Sequence, residues 1–227
     1  MKRYCLLLTA FALAVPLVAG TIVVPNSLAA TETNVGANLN ANARVQQVFA
    51  SNQFGASAIT ITSIALRDEG GAAASSQNVN SFFLRMAVTS NAPDALSTTF
   101  ASNLGSNVQT VFNGPITLTT AACASGPCPF DMVIPLQSSY AYNPGSGNLL
   151  LDFTWDTQPW TNLMEVANAN GDSVSSIDGN SAATTGTANT VGLVVQFTTA
   201  TGVPEPGTGI LAGLGLLAAA GVRRWRR

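Results

Sequence analysis

A chain of 227 residues without a single histidine lacks the usual general base and the commonest metal ligand. Eleven carboxylates and the hydroxyls remain as candidates for chemistry. One carboxylate pair, Asp152 and Asp156, shares strand parity. Four residues at ~3.3 Å each set the two ~13 Å apart, beyond the ~5–9.5 Å of glycosidase pairs. No Gly-x-Ser-x-Gly elbow and no phosphate-binding loop is present. No catalytic residue, cofactor or metal site is therefore assigned, and the class expected is non-enzymatic.

Three other groups of residues bear on chemistry. Asn168, Asn170, Asp172 and Asp178 bring oxygen ligands into one polar stretch, as calcium loops do, but the EF-hand register fails and a solvated loop is expected. Cys123 and Cys128 stand in Cys-Ala-Ser-Gly-Pro-Cys, where Gly126-Pro127 can turn the chain. In an exported protein such a pair reads as a disulfide, stabilising by roughly 2 kcal/mol for so small a ring. Trp155 and Trp160 bracket Asp-Thr-Gln-Pro near Tyr140 and Tyr142. Rings beside Asp, Gln and Asn can stack a sugar and bond its hydroxyls. Trp155 continues an apolar strand face and reads as core. Trp160, after Pro159, is the surface candidate, and with Tyr140 or Tyr142 it is the glycan contact expected if these rings are not simply packing.

The charges are segregated. Lys2 and Arg3 open the chain, Arg223, Arg224, Arg226 and Arg227 close it, and only Arg44, Arg67 and Arg85 lie between. Residues 31–206 set those three arginines against all eleven carboxylates, a net charge of −8. Nucleic-acid binding, which needs a basic face to displace counterions, is excluded.

The two ends read as addresses. Residues 1–30 have the parts of a signal peptide: Lys2 and Arg3, an apolar Leu6–Ala19, and small residues Ser27-Leu28-Ala29-Ala30 for signal peptidase to cut after Ala29 or Ala30. Cys5 leaves with that segment. At the other end, Pro204-Glu205-Pro206 precedes an apolar run, Gly207–Val222, and then the four arginines around Trp225. Sixteen helical residues span ~24 Å, enough for a short membrane helix with an interfacial Trp and snorkelling arginines. The arginines would stay cytoplasmic and leave the rest of the chain outside.

The elements between, residues 31–203, read as all-β: a β-sandwich of eight or nine strands, a jelly roll being one arrangement of it. Alternation is clear in Phe82–Thr89, Phe130–Leu136, Leu149–Trp155 and Val191–Phe197, and shorter in Arg44–Phe49, Ala58–Leu66, Val108–Phe112 and Ile116–Thr120. The change of parity from Ile59 and Ile61 to Ile64 and Leu66 predicts a β-bulge. Asp68–Gly71, Asn113-Gly114 and Asn143–Asn148 carry turn chemistry. Residues 167–189, almost free of large apolar side chains, are expected to be a flexible loop.

The C-terminal layout resembles the PEP-CTERM sorting signal of Gram-negative bacteria, over Val203–Arg227. That resemblance implies processing near Pro204-Glu205-Pro206 by an exosortase-type membrane enzyme, and a protein held transiently at the cytoplasmic membrane before reaching the cell surface or an exopolysaccharide matrix. Arg44–Phe49 leading into Ile59–Arg67, then Leu96–Phe100, Tyr142-Asn143-Pro144 and Gly147–Asp152 resemble a group of PEP-CTERM β-sandwich proteins of unassigned activity. The expectation is an exported surface or matrix protein, the alternative a carbohydrate-binding module of the matrix.

Overall fold

The computed structural model describes residues 18–40, 43–156 and 159–201. The fold is all-β, with three sheets and only single-turn 3₁₀ segments between strands. Its compact unit spans Ala19–Thr201.

The largest sheet has six strands. β3 (Ala43–Phe49), β5 (Ser75–Thr89), β6 (Ser106–Thr120), β8 (Asn148–Trp155), β10 (Val174–Asn180) and β11 (Thr187–Asn189) lie in the order β11-β10-β3-β8-β5-β6. A second sheet runs β1-β13-β4-β7, from β1 (Val18–Val24), β4 (Ile59–Leu66), β7 (Met132–Tyr142) and β13 (Val195–Thr201). Short strands β2 (Gly36–Ala37), β9 (Met164–Ala167) and β12 (Gly192–Leu193) form the third, in the order β12-β9-β2.

Alternation explains why the sheets meet as they do. Leu149, Leu151, Phe153 and Trp155 of β8 and Phe82, Leu84, Met86 and Val88 of β5 share one core with Ile61, Ile64, Tyr140 and Phe197 of the second sheet. Met164, Val166 and Leu193 join it from the third. The opposite face of the six-stranded sheet builds a smaller core: Val48, Leu150 and Ala87 are cross-strand neighbours, covered by Leu96 and Phe100. β8 therefore buries both faces, which is why it reads Leu-Leu-Leu rather than as a strict alternation.

The bulge expected in β4 is present: the register against β7 and β13 skips Thr62. Two expectations are corrected. Asn113-Gly114 is not a hairpin turn; residues 108–120 belong to one strand, and Gly114 pairs with Phe82 beside a register shift. Its φ of 146°, open to glycine, allows the irregularity without ending the strand.

The second correction concerns residues 167–189. They hold β10 and β11, and β10 pairs with β3 along its whole length. Val174 and Ile177 fill the apolar positions, while Ser175 and Ser176 are buried because their hydroxyls are bonded. The Ser176 hydroxyl donates to the Val191 carbonyl at 2.7 Å, and the Ser175 hydroxyl accepts from the Asp94 amide at 2.8 Å. A strand between two others needs few large side chains once its polar groups are paired.

Residues 18–30, assigned from sequence to the signal peptide, include β1 and the 3₁₀ turn Asn26–Leu28, both parts of this fold. The remainder of the expected leader, residues 1–17, and the expected membrane helix, 207–222, lie outside the described residues. Among the described residues no helix is long and apolar enough to cross a membrane.

Candidate functional site

The interior arginines are placed by strand register. Asp152 of β8 lies directly between Gln46 of β3 and Arg85 of β5. Its carboxylate, 1% exposed, accepts from Arg85 Nε at 2.8 Å, Gln46 Nε2 at 3.0 Å, and Arg44 at 3.0 and 2.9 Å through Nε and a terminal nitrogen. Burial pushes the Asp152 carboxyl up, but the bonds from Arg44, Gln46 and Arg85 outweigh it and hold the group below the usual carboxylate range. Arg44 also lies over the Phe100 ring at 4.2 Å, and Gln46 donates to the Phe100 carbonyl at 3.0 Å. The cluster thus clamps the segment that covers the smaller core. Sequence reasoning did not pair these residues, although Arg85 and Asp152 both fall on the non-core parity of strong strands, where a buried charge must find a partner.

A second cluster surrounds Arg67, which is buried at the end of β4. Its Nε donates to Glu165, and its terminal Nη2 to the carbonyls of Leu28 at 2.9 Å and Thr31 at 2.6 Å. Phe130 lies 4.6 Å from the guanidinium. The Glu69 carboxyl is raised, first by burial and then by the charges of Glu165 and Glu32, against the pull of Arg67. Asp68 next to it accepts from the indole of Trp160 at 3.1 Å and from the Asn162 amide at 2.6 Å.

That bond decides the aromatic question. Trp160 is 4% exposed, Tyr140 0% and Tyr142 1%. The expected glycan contact at these three rings is corrected: none presents a face to solvent. The physical reason is polar satisfaction in the core, since the Tyr140 and Tyr142 hydroxyls donate to the carbonyls of Asn107 at 3.0 Å and Gly147 at 2.8 Å. Burial pushes Tyr140 up to about 12, and Tyr142 further. Trp155 is core as its parity required, stacked on Phe153, with its indole donating to the Asn40 carbonyl at 2.7 Å.

Cys123 and Cys128 form a disulfide, with Cα atoms 5.8 Å apart. Its loop is pinned by Gly71 N donating to the Cys123 carbonyl and Cys123 N to that of Ala72, both at 2.9 Å. The oxygen-rich residues of the polar stretch are dispersed, Asp178 on β10 and Asn168, Asn170 and Asp172 in the segment before it. Asp172 accepts from the amides of Ala169 and Val174, Asp178 from the Asn189 side chain, and Asp94 from Gly171 N. Among the described residues no group of three acidic or thiol side chains is arranged to hold a metal ion.

One concavity has the dimensions of a ligand site. A cleft of about 580 Å³ opens where residues 37–40 meet β3, β10 and the segment entering β12. Asn38, Asn40, Asp178, Asn180 and Asn189 supply amides and a carboxylate, and Val45, Trp155 and Val191 an apolar wall. The cleft thus sets a few polar groups on an apolar floor. The sequence signal for it was weak, because its residues come from five separated segments.

The remaining candidate, the C-terminal motif, lies outside the described residues and is decided by comparison. Residues 202–227 match the family model of the PEP-CTERM protein-sorting motif. The chain carries a PEP-CTERM sorting domain. The motif is one that an exosortase recognises, and it marks an exported, membrane-passing protein. The match begins at Gly202, directly after β13 ends at Thr201, so the PEP-CTERM segment and the compact fold adjoin without overlapping. No curated protein and no solved structure matches the chain.

Proposed function

We propose that this PEP-CTERM protein is a non-enzymatic component of the cell surface or extracellular matrix. A β-sandwich cargo is exported, held at the cytoplasmic membrane by residues 207–222 with Arg223, Arg224, Arg226 and Arg227 on the cytoplasmic side, and released near Pro204-Glu205-Pro206 by an exosortase-type enzyme. The observation that carries this reading is the sorting motif at residues 202–227. The engagement of Asp68, Asp152 and Glu165 in buried structural bonds supports a cargo without catalysis. The test is the intact mass of the protein in each fraction of its native host. Material lacking the tail, recovered outside the cell, is the expected result; an intact tail confined to the membrane fraction would overturn the release step.

A second reading, carbohydrate binding, is favoured by the cleft rather than by the buried rings. Asp178 and Asn180 stand exposed on its rim, on a strand fixed by β3. Retention on the host exopolysaccharide is expected to fall about tenfold in Asp178→Ala/Asn180→Ala, the equivalent of one good polar contact or two, and to be unchanged in Trp160→Phe. Equal retention of all three proteins would remove the cleft from consideration.

A further inference from the structure

Two stretches near the N-terminus could accept signal peptidase: Ser27-Leu28-Ala29-Ala30, and Val18-Ala19-Gly20 upstream. Ser27 and Ala29 make the first the closer match to an Ala-x-Ala pattern, but the two differ in what a cut would do to the fold.

A cut after Ala29 or Ala30 removes β1. Val24 is fully buried in the main core, Val23 is buried beside it, and Ile22 packs against the same cluster. β1 covers the outer edge of β13, where Thr199 donates its hydroxyl to the Gly20 carbonyl at 3.3 Å. Its loss would bare a strand edge, a template for wrong pairing. The turn after β1 is also tied in: Asn26 N donates to Gln53 Oε1 at 2.8 Å, and the Asn26 side-chain amide to the Gln53 carbonyl at 3.1 Å. The Arg67 cluster is disturbed as well. This buried guanidinium, still paired with Glu165, would lose the Leu28 carbonyl, and a new α-ammonium at residue 30 or 31 would lie next to its acceptor on Thr31. A buried cation that loses an acceptor and gains a like charge beside it is destabilised even with its carboxylate partner in place.

A cut after Ala19 or Gly20 does none of this. Thr21–Val24 stays in the sheet, both Arg67 acceptors remain, and the new terminus falls at the exposed start of the strand. The leader it leaves is 19 or 20 residues long, with Lys2 and Arg3 ahead of an apolar run that begins at Leu6 and a small residue at the cut. Those are the dimensions of a signal peptide.

We propose that signal peptidase cleaves this chain after Ala19 or Gly20, so that the mature protein begins with β1. The inference rests on the export reading and is tested with the full chain in its native host by N-terminal sequencing of the exported protein. Gly20 or Thr21 as the first residue is the expected result. Ala30 or Thr31 would overturn the proposal and leave export standing, whereas Met1 on the mature protein would overturn both. Two variants give an independent readout: Ala29→Leu/Ala30→Leu should be processed like wild type, and Ala19→Leu/Gly20→Leu should accumulate as precursor. The reverse pattern would overturn the assignment even if the variants fold poorly, since cleavage precedes folding.

Discussion

Three side chains converge on Asp152, and that convergence sets a pH dependence. Because its folded carboxyl titrates below the ordinary range, Asp152 contributes stability above the unfolded carboxylate pKa and loses it as pH falls through the folded value. Asp152→Asn leaves Arg44 and Arg85 without a counter-charge, a loss of about 3 kcal/mol at neutral pH. In urea unfolding the gap between wild type and variant should narrow steadily below about pH 4, once the wild-type group protonates; a constant gap would mean that the charge is irrelevant. Glu69 has the opposite sign. Its carboxyl is raised, so it favours the fold only while protonated and opposes it once pH rises through the folded value. Glu69→Gln should therefore raise the melting temperature at neutral pH by roughly 1–2 °C, the small scale of a partly solvated group, and have no effect in acid. A drop at neutral pH would show that Glu69 is needed as a partner of Arg67.

At the scale of elements, strand pairing leaves little room at the turn into β6. A Cβ on Gly105 would stand 2.2 Å from the Val88 carbonyl oxygen, a backbone atom of the paired strand. Gly105→Ala should cost about 1–3 kcal/mol by forcing β5 and β6 apart, visible as a lower denaturation midpoint. A neutral result would mean that the pairing of Val88 with Ser106 yields to a methyl group without loss. Such close approaches are invisible in sequence, whereas strongly alternating strands were legible: β3, β4 and β8 fall within a residue of their expected ends, and the β4 bulge was readable from one parity change. β10 was missed because its burial rests on hydroxyls bonded across strands, which hydrophobic periodicity does not register. β1 was missed for a different reason. Its Val-Ile-rich sequence continues the apolar run of the expected leader, and only its place beside β13 reveals it as a strand of the fold. Trp160 was misplaced because its partner, Asp68, lies 92 positions away.

For the whole molecule, the two ends of the described fold are neighbours. Gly20 and Thr199 touch through a hydrogen bond, on adjoining strands of one sheet. A domain with adjacent ends can lose chain beyond either one without losing core, provided that the outermost strands survive. That condition separates two truncations of the C-terminus. Stopping the chain after Thr201 removes the whole sorting match but keeps β13, whose Phe197 packs edge-on against Phe49 and Phe54 at 5.1 and 5.2 Å. The shortened protein should appear outside the cytoplasm without a membrane-bound stage, and its melting temperature should lie within about 1–2 °C of the processed wild type. Stopping after Val194 deletes the strand between β1 and β4, so that protein should be degraded rather than exported in folded form. Membrane retention of the Thr201 truncation would place the anchoring determinant in the cargo and dissociate it from Pro204-Glu205-Pro206. A large loss of stability in the same protein would mean that the tail packs on the fold it addresses, and that sorting and folding are one process rather than two in sequence.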